Sequence, residues 1–398
     1  MSIQTCHAAP VRCNGFCMRF IYALLTSFAL CLNFIAVGFA RPSIVVDVTA
    51  GTIISGEDID QRWHPASLTK LMTALVVFRM LERGDVTLAS PVRVSASALK
   101  QQPSKMSYPV GTMMRLGDAL PMMIVKSAND IAVAIAESVS GSVPNFVIEM
   151  NREAFRLGLA NTVFTNPTGL HDERQFTSAR DLALIATEIR RSFPQYADYY
   201  THDAIKIGKA TLPSFNLLIG RFEGADGMKT GFVCASGYNQ VGSATRNGRT
   251  LIGVVLGRAS QNNRAEDLAE LLTQGFAGGG DALASGALAS GAPSAAGPPN
   301  LRAKTCPNGG PPAEDANLSE PNSPFLVRKP KESVNPLRIT VGKPDGPIPP
   351  AAVAFFGGKK TKVDPVEKAV PVPTPRPDYT PPSAVKSEIR GTLPAKQP

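Results

Sequence analysis

Histidine and cysteine are scarce in this chain of 398 residues, and their scarcity excludes several kinds of site. The sequence has four histidines and six cysteines, and four of those cysteines fall within the first 40 residues, at Cys6, Cys13, Cys17 and Cys31. No Cys-x-x-Cys pair occurs, so we expect neither a disulfide scaffold nor a cysteine-ligated metal site. The shortage of histidine likewise argues against a zinc peptidase. We therefore expect no metal and no other cofactor, and we interpret Cys234 as a small buried apolar residue.

Basic clusters interleaved with aromatic residues are also missing. The chain has 41 Lys and Arg against 32 Asp and Glu, a formal net charge of +9, but this excess is spread thinly along the sequence. Such a distribution does not predict nucleic-acid binding. It suits a protein that works near an anionic wall or a membrane surface.

Charged residues are absent from a long run near the N-terminus. The segment from Phe20 to Ala40 is uncharged and mostly apolar, and it ends in small residues around Phe39. This pattern predicts an export signal over residues 1–40 with cleavage before Arg41, or a shorter signal if translation starts at Met18. An uncleaved anchor is the alternative, because 21 residues can span a bilayer. Either way, we expect a protein of the periplasm or cell envelope, with membrane association as an alternative to a free protein.

Apolar periodicity disappears after Ala277. Of the 34 prolines in the chain, 23 lie between residue 277 and the end, together with Gly, Ala and Ser repeats. This composition does not support a packed core, so we expect a disordered or extended tail over 277–398. Contact with a wall polymer or a partner is the functional alternative for this tail.

Between these two ends, the sequence predicts one domain over 41–276. A β-hairpin is expected over 43–55, followed by a helix that starts near Ser67 and ends at Gly84. Further helices are expected over 118–125, 131–139, 144–157, 178–190 and 265–276, with Asn129 or Asp130 as an N-cap. Strands are expected over 228–233, 238–244 and 250–256. Short strands and loops fill 85–115. The order indicates an α+β fold, with an antiparallel sheet flanked by helices and an inserted helical lobe.

A serine and a lysine stand three residues apart where the first of these helices opens. Ser67 and Lys70 are followed by the apolar run from Leu71 to Val77. Positions i and i+3 share one helical face, so the hydroxyl and the amine can meet. A lysine in an apolar setting can activate a serine nucleophile. The same Ser-x-x-Lys spacing also occurs at Ser97 and Ser383, but neither of those serines opens an apolar helix.

Two further motifs follow the serine–lysine pair along the chain. Ser127-Ala-Asn129 is a weak signal, because several other Ser-x-Asn triplets occur. Lys229-Thr230-Gly231 occurs once, on a predicted strand, where chance would give roughly a tenth of a match.

In this order, the motifs resemble those of the penicillin-recognising serine peptidases and β-lactamases. Within that superfamily the sequence is most similar to the low-molecular-weight D-alanyl-D-alanine carboxypeptidases, over roughly residues 42–276. The resemblance is carried by five stretches, namely 65–70, 126–130, 166–170 (Asn-Pro-Thr-Gly-Leu), 177–181 (Thr-Ser-Ala-Arg-Asp) and 226–231. Members of that family often carry a second, β-rich domain and an amphipathic helix. Here low-complexity sequence begins at Ala277 instead.

The resemblance implies a role for each motif residue. Ser67 would attack the carbonyl between two D-alanines, Lys70 would take its proton, and Ser127 would pass a proton to the leaving amine. Lys229 and Thr230 would hold the free carboxylate of the substrate. Which lysine acts as the general base stays open.

Three further residues are implied in substrate binding. Asn129 belongs to the second motif, and Gly231 would let the substrate backbone lie along the strand. The backbone N–H groups of Ser67 and Phe232 would stabilise the oxyanion. Peptidoglycan stem peptides are the implied substrate, and β-lactam antibiotics are the implied covalent inhibitors.

Three alternatives remain beside a carboxypeptidase. A class A β-lactamase would need a glutamate-activated water, usually in a Glu-x-x-Leu-Asn loop, which this sequence lacks. An endopeptidase acting on peptide cross-links is closer to the motifs. A catalytically idle wall-binding protein is the third. His64 lies near Ser67 but has no acidic partner placed by motif, so we interpret it as structural.

Overall fold

The computed structural model describes residues 41–278, 287–289, 291–310, 322–328, 333 and 335–357, and the fold is reported for these ranges alone. The predicted export signal and the last 41 residues of the predicted tail lie outside them. Within the described ranges, no single helix is both long and apolar enough to cross a membrane. Asn129–Ser140 and Val143–Arg156 pass that test only as a pair, with an 88° bend between them.

The ten described strands are β1 Ser43–Asp47, β2 Thr52–Glu57, β3 Pro91–Arg93, β4 Met113–Arg115, β5 Ala204–Ile207, β6 Ala210–Pro213, β7 Ala225–Val233, β8 Gly237–Arg246, β9 Arg249–Arg258 and β10 Pro336–Arg338. Five of them form an antiparallel sheet at the centre of the domain, in the order β2-β1-β9-β8-β7. The predicted β-hairpin of β1 and β2 is confirmed. The Asn-Gly turn between β8 and β9 places Asn247 and Gly248 at φ 49° and 77°, as a two-residue hairpin requires.

Eight helices are described around this sheet. They are α1 Thr69–Arg83, α2 Ala96–Leu99, α3 Leu116–Ile124, α4 Asn129–Ser140, α5 Val143–Arg156, α6 Ala179–Ser192, α7 Gln261–Phe276 and α8 Arg302–Thr305. The first is buried on nearly every face, as expected for a helix that is apolar all round. It ends at Gly84, which has φ 76° and therefore supplies the predicted C-terminal stop. The α+β fold class is confirmed.

Two helix starts differ from the sequence-based expectation. Residues 66–68 form a turn of 3-10 helix, and the α-helix begins only at Thr69. The expected N-cap at Asn129 or Asp130 is wrong, because Ala128 holds the cap position and α4 begins at Asn129. At the second of these starts, the Asn129 side chain bonds Lys70 and the Gln102 carbonyl rather than capping the helix.

Apolar packing between the sheet and α7 fixes the core beneath the site. Leu268 and Leu272 of that helix pack against Val45, Leu251 and Val255 of the sheet. Two glycines in β8 and β9 leave room for this contact, since a Cβ at either position would lie within 2.7 Å of Leu268. The helix therefore packs closely on β8 and β9, and β8 pairs with β7, the strand that carries the lysine-threonine-glycine motif.

The described segments after residue 278 contact the domain at many points. Leu288, Leu301, Leu326, Ile339 and Ala352 are all buried. The strand β10 pairs in parallel with β5, extending the β5–β6 hairpin into a small three-stranded sheet. These segments lie against the domain because isolated apolar residues between the prolines are buried. The disordered or extended tail expected over 277–398 stays a prediction, since much of it lies outside the described residues.

A disulfide joins Cys234 to Cys306 across 72 residues of sequence. The interpretation of Cys234 as a simple buried apolar residue is therefore wrong. Sequence spacing gives no signal for such a pair, because the two cysteines meet only once the C-terminal segment has folded back onto the domain.

Candidate active site

Ser67 lies on the 3-10 turn that precedes α1. It is half-buried, whereas every neighbour from Trp63 to Lys70 is buried. The preceding residue Ala66 has φ 49°, an uncommon conformation for a side chain with a Cβ. Two glycines pack so closely against this turn that neither position has room for a side chain. A Cβ at Gly169 would lie 1.7 Å from the Ala66 carbonyl, and a Cβ at Gly231 would lie 2.9 Å from the Ser67 nitrogen. The hydroxyl is thus presented on a sharply bent turn that its surroundings hold in place.

The amine of Lys70 meets the Ser67 hydroxyl, as the helical spacing predicts. Its Nζ donates to Ser67 Oγ at 3.0 Å, to Asn129 Oδ1 at 2.6 Å and to the Thr168 carbonyl at 2.6 Å. An ammonium has three donors, so these neutral acceptors use all of them. Lys70 is only 1% exposed.

Burial lowers the pKa of Lys70 well below its usual value of 10.5. Loss of hydration is the largest cause, the positive charge of Lys229 adds to it, and Asp130 acts in the opposite direction. The setting therefore favours the neutral amine, which can accept a proton from Ser67.

Ser127 and Lys229 form a second hydroxyl–amine pair. Lys229 Nζ donates to Ser127 Oγ at 2.9 Å and to the Thr230 carbonyl at 3.0 Å. Ser127 has φ 62°, so its backbone is held in the left-handed region just before α4. Burial, with the charge of Arg264 as the second cause, lowers the pKa of Lys229 to about 7. At neutral pH this lysine can thus change its protonation state.

Asn129 is fully engaged inside the protein. Its Oδ1 accepts from Lys70, and its Nδ2 donates to the Gln102 carbonyl at 2.9 Å. The side chain is 3% exposed. In this structure the amide therefore orients Lys70, whereas the sequence suggests a contact with substrate.

The motif strand β7 is the edge strand of the five-stranded sheet. Lys229 and Thr230 are buried on it, Gly231 lies against the Ser67 turn, and Phe232 is half-buried with its ring 4.3 Å from that of Tyr238. An edge strand exposes backbone groups that an extended peptide can pair with. The predicted site residues thus come together in one place.

The sequence profile of the Peptidase S11 family, described as D-alanyl-D-alanine carboxypeptidase, matches residues 38–260. The chain belongs to this family. Among curated relatives of this carboxypeptidase family, DacA of Haemophilus influenzae is 39% identical over 243 residues, which cover 60% of this chain and 62% of the relative. DacF of Bacillus subtilis is 33% identical with the same two coverages. The match thus spans less than two thirds of the length of these relatives.

Solved structures agree with the family assignment. Penicillin-binding protein 5 of Haemophilus influenzae is 38% identical, with a TM-score of 0.57 over 60% of this chain and 71% of that protein. Penicillin-binding protein D2 of Listeria monocytogenes, in its ampicillin-bound form, is 28% identical, with a TM-score of 0.53 over 60% of this chain and 97% of that protein.

The 166–170 loop, part of the resemblance to the carboxypeptidase family, has a local role that the sequence did not assign. Asn166 Oδ1 accepts from the backbone N–H groups of Thr168 and Gly169, at 3.1 and 2.8 Å. This turn presents the Thr168 carbonyl to Lys70. The Asn-Pro-Thr-Gly pattern signals a turn, but its partner is 98 residues away in sequence and could not be inferred from it.

Arg264 and Asp130 also support the site, and neither of these two roles was predicted from the sequence. Arg264 is 2% exposed, and its Nη2 donates to the Phe215 carbonyl at 2.8 Å. Its buried charge helps to lower the pKa of Lys229. Asp130 is fully buried, and its carboxylate accepts from the backbone N–H groups of Met106 and Ser107. It therefore fastens the 104–107 loop beside Ser127.

His64 contacts two residues of the loop before α6, Gln175 and His171. Its Nδ1 lies 3.0 Å from the Gln175 carbonyl, and its ring packs edge-on against His171. Burial lowers the pKa of His64. Within the described ranges, no cluster of three or more His, Cys, Asp or Glu residues could hold a metal ion.

Proposed function

We propose that this protein is a serine-type D-alanyl-D-alanine carboxypeptidase that removes the terminal D-alanine from peptidoglycan stem peptides. The observation that carries the proposal is the 3.0 Å hydrogen bond between Lys70 Nζ and Ser67 Oγ, with the lysine buried and its pKa lowered. A neutral amine at that distance can act as the general base for the hydroxyl.

In the proposed acylation step, Ser67 Oγ attacks the carbonyl carbon of the penultimate D-alanine while Lys70 takes the proton. The resulting oxyanion accepts hydrogen bonds from the backbone N–H groups of Ser67 and Phe232. The C–N bond then breaks, and the leaving amine takes a proton through Ser127, which Lys229 can resupply. Once the proton held by Lys70 has passed to Lys229, Lys70 is neutral again. It then serves as the base when water attacks the ester, and it returns the proton to Ser67 Oγ as the ester C–O bond breaks.

The carboxylate of the terminal D-alanine binds at Lys229 and Thr230 in this proposal. A buried cation beside an edge strand favours an anionic chain end over a continuing peptide. This favours a carboxypeptidase over the endopeptidase alternative. A substrate with a C-terminal amide in place of the carboxylate should react about 10- to 100-fold more slowly, the range expected for one charged hydrogen bond. Equal rates for acid and amide would contradict this assignment.

Penicillin labelling tests the nucleophile directly. The β-lactam carbonyl would acylate the same hydroxyl, so intact-mass spectrometry of the penicillin-treated protein should show one adduct that peptide mapping places on Ser67. Ser67→Ala should lose both the adduct and D-alanine release, with its melting temperature nearly unchanged. An adduct elsewhere, or D-alanine release retained by Ser67→Ala, would overturn the mechanism, whereas a wild type that is neither labelled nor active would support the idle wall-binding alternative.

We also propose that the protein acts outside the cytoplasm. The Cys234–Cys306 disulfide supports this, because such bonds form and persist in oxidising compartments. Mass determination of the mature N-terminus should find Arg41 if the signal is cleaved. A mature chain that retains residues 1–40 would favour the uncleaved anchor.

A further inference from the structure

The segment over residues 291–306 is fastened to the rim of the domain at successive points. Asn161 binds the backbone at two positions, with its Nδ2 donating to the Ala292 carbonyl at 2.8 Å and its Oδ1 accepting from Ser294 N–H at 2.6 Å. Gln61 Nε2 then donates to the Gly297 carbonyl at 3.3 Å. These bonds hold the segment along the domain surface from Asn161 to Gln61, which precedes the turn that carries Ser67.

The end of this segment is fastened beside the motif strand. Leu301 is buried, and its N–H donates to the Ala235 carbonyl at 2.9 Å. Five residues later, Cys306 forms the disulfide with Cys234, the first residue after β7. The short helix α8 lies between these two anchors. Leu301–Cys306 is therefore held at the end of β7 by a backbone bond and a covalent bond.

The proposed function gives the substrate a direction along β7. Its carboxylate lies at Lys229 and Thr230, and its scissile carbonyl lies near Phe232. Residues upstream of the penultimate D-alanine then continue toward the C-terminal end of the strand. An extended peptide advances about 3.3 Å per residue, so the next two residues upstream reach the level of Cys234 and Ala235.

We propose that Leu301–Cys306 forms a wall of the substrate site upstream of the scissile bond and selects extended, anionic stem peptides over short ones. This inference rests on the proposed function. The disulfide fixes the wall before substrate binds, which lowers the entropy cost of binding the upstream residues.

The positive charge of Leu301–Cys306 is the reason to expect a preference for anionic peptides. Arg302 and Lys304 are exposed on α8, between the two anchors. Cations at this position favour an upstream peptide that carries carboxylates. Exposed charge pairs of this kind change binding by up to about fivefold and weaken as salt is added.

The test compares two substrates at each variant. One is a short acyl peptide that contains only the D-Ala-D-Ala end, and the other is a stem pentapeptide with its upstream carboxylates. For the wild type, kcat/KM should favour the pentapeptide. Replacing both Cys234 and Cys306 by Ser should lower that ratio at least threefold, chiefly through KM, while the rate of penicillin acylation stays within twofold.

A substitution at Arg302 tests the proposal independently, because it leaves the disulfide intact. Arg302→Gln should lower kcat/KM for the pentapeptide by up to about fivefold, should weaken its salt dependence, and should not affect the short substrate. Arg338→Gln removes another exposed arginine of the C-terminal segment, on β10, and serves as the matched control that should change neither substrate. This arm remains informative if the cysteine variant folds poorly.

The outcomes separate the two proposals. If penicillin labels Ser67 and both substrates are cleaved, but the substrate ratio is the same in wild type, the cysteine variant and Arg302→Gln, the inference about the wall is overturned while the carboxypeptidase assignment stands. If the wild type is neither labelled nor active on either substrate, the proposed function itself fails.

Discussion

At the scale of single residues, the site is organised by two buried lysines whose hydrogen-bond partners are neutral oxygens. Lys70 donates to a hydroxyl, an amide and a carbonyl, and Lys229 donates to a hydroxyl and a carbonyl. A buried ammonium without a hydrogen-bonded carboxylate loses hydration that nothing fully replaces. Both pKa values are therefore lowered, that of Lys229 to about 7.

In the proposed mechanism, this arrangement predicts a descending limb in the pH profile of kcat/KM. Activity should fall near pH 7 as Lys229 loses the charge that would hold the substrate carboxylate. Because kcat/KM reports the free enzyme, the descending limb should follow the pKa of Lys229 in the absence of substrate.

Arg264→Gln should move that descending limb to higher pH. The substitution removes a buried positive charge that lowers the pKa of Lys229, so the ammonium persists at higher pH. Arg264→Lys keeps a charge there and should leave the limb near its wild-type position. Measured profiles in which the two variants shift alike would show that packing, and not charge, accounts for the effect of Arg264.

At the scale of elements, β7 lies directly against the 3-10 turn that carries Ser67. In the proposed mechanism, this contact sets the distance between the substrate and the Ser67 hydroxyl. The Cβ that an alanine would add at Gly231 falls 2.9 Å from Ser67 N and 3.0 Å from the Pro65 carbonyl. Both are backbone atoms, so neither can rotate away as a side chain could. The strand and the turn must therefore move apart if any side chain is placed at Gly231.

Gly231→Ala should lower the rate of penicillin acylation by about 10²-fold or more, the loss expected when an oxyanion donor is displaced. Stopped-flow measurement of acylation gives this rate directly. Gly310→Ala is the control, because a Cβ at Gly310 meets no atom within 4 Å and its φ is not positive. A normal acylation rate in Gly231→Ala would mean that the turn and the strand can separate without cost.

Helices and strands of the domain followed from local sequence where a stop or turn residue is present. Gly84 ends α1 and Asn247-Gly248 closes the β8–β9 hairpin, because these residues adopt positive φ at little cost. The start of α4 did not follow, because Asn129 is recruited by Lys70 from another helix. A residue's local preference thus gave way where a long-range contact needed its side chain.

At the scale of the whole molecule, the described C-terminal segments contact both the sheet and the helical lobe. Leu326 joins the apolar core beside α7, and Ala352 is buried against the α4 region, where a Cβ at Gly141 would collide with the Ala351 carbonyl. Arg93 of β3 hydrogen-bonds the Phe355 carbonyl and lies over the Phe355 ring. The segments therefore link parts of the fold that are distant in sequence.

A chain that ends at residue 278 should be markedly less stable than one that ends at 357. Reduction of the disulfide in the longer chain should by itself cost about 4 kcal/mol for a loop of this length, a fall in Tm of roughly 10 °C. The shorter chain has no such bond to lose. It also exposes the surfaces that Leu301 and Leu326 cover. Calorimetry of both chains, with and without a dithiol reductant, gives the comparison.

The control for this prediction is a chain that ends at 357 compared with one that ends at 398. Both keep all of the described contacts, so their Tm values should agree within about 2 °C. Equal melting of the 278 and 357 chains under oxidising conditions would contradict the stabilising role of the C-terminal segments.

Much of the candidate site could be predicted from short stretches of the sequence. The spacing of Ser67 and Lys70 predicted their contact, because a helix turn brings i and i+3 together whatever the rest of the fold does. The single Lys-Thr-Gly motif marked β7, and the order of the motifs indicated the family. The sequence by itself thus determined the class of the fold and the contact between Ser67 and Lys70.

Tertiary structure alone decided what surrounds those residues. The Thr168 carbonyl, the buried charge of Arg264 and the Cys234–Cys306 bond each depend on chain segments brought together over long separations, 98 residues in the first case and 72 in the last. No period or motif encodes such distances. The lowered pKa values arise because burial removes water from groups that the fold has gathered. The disulfide forms beside β7 because the fold brings Cys306 to Cys234.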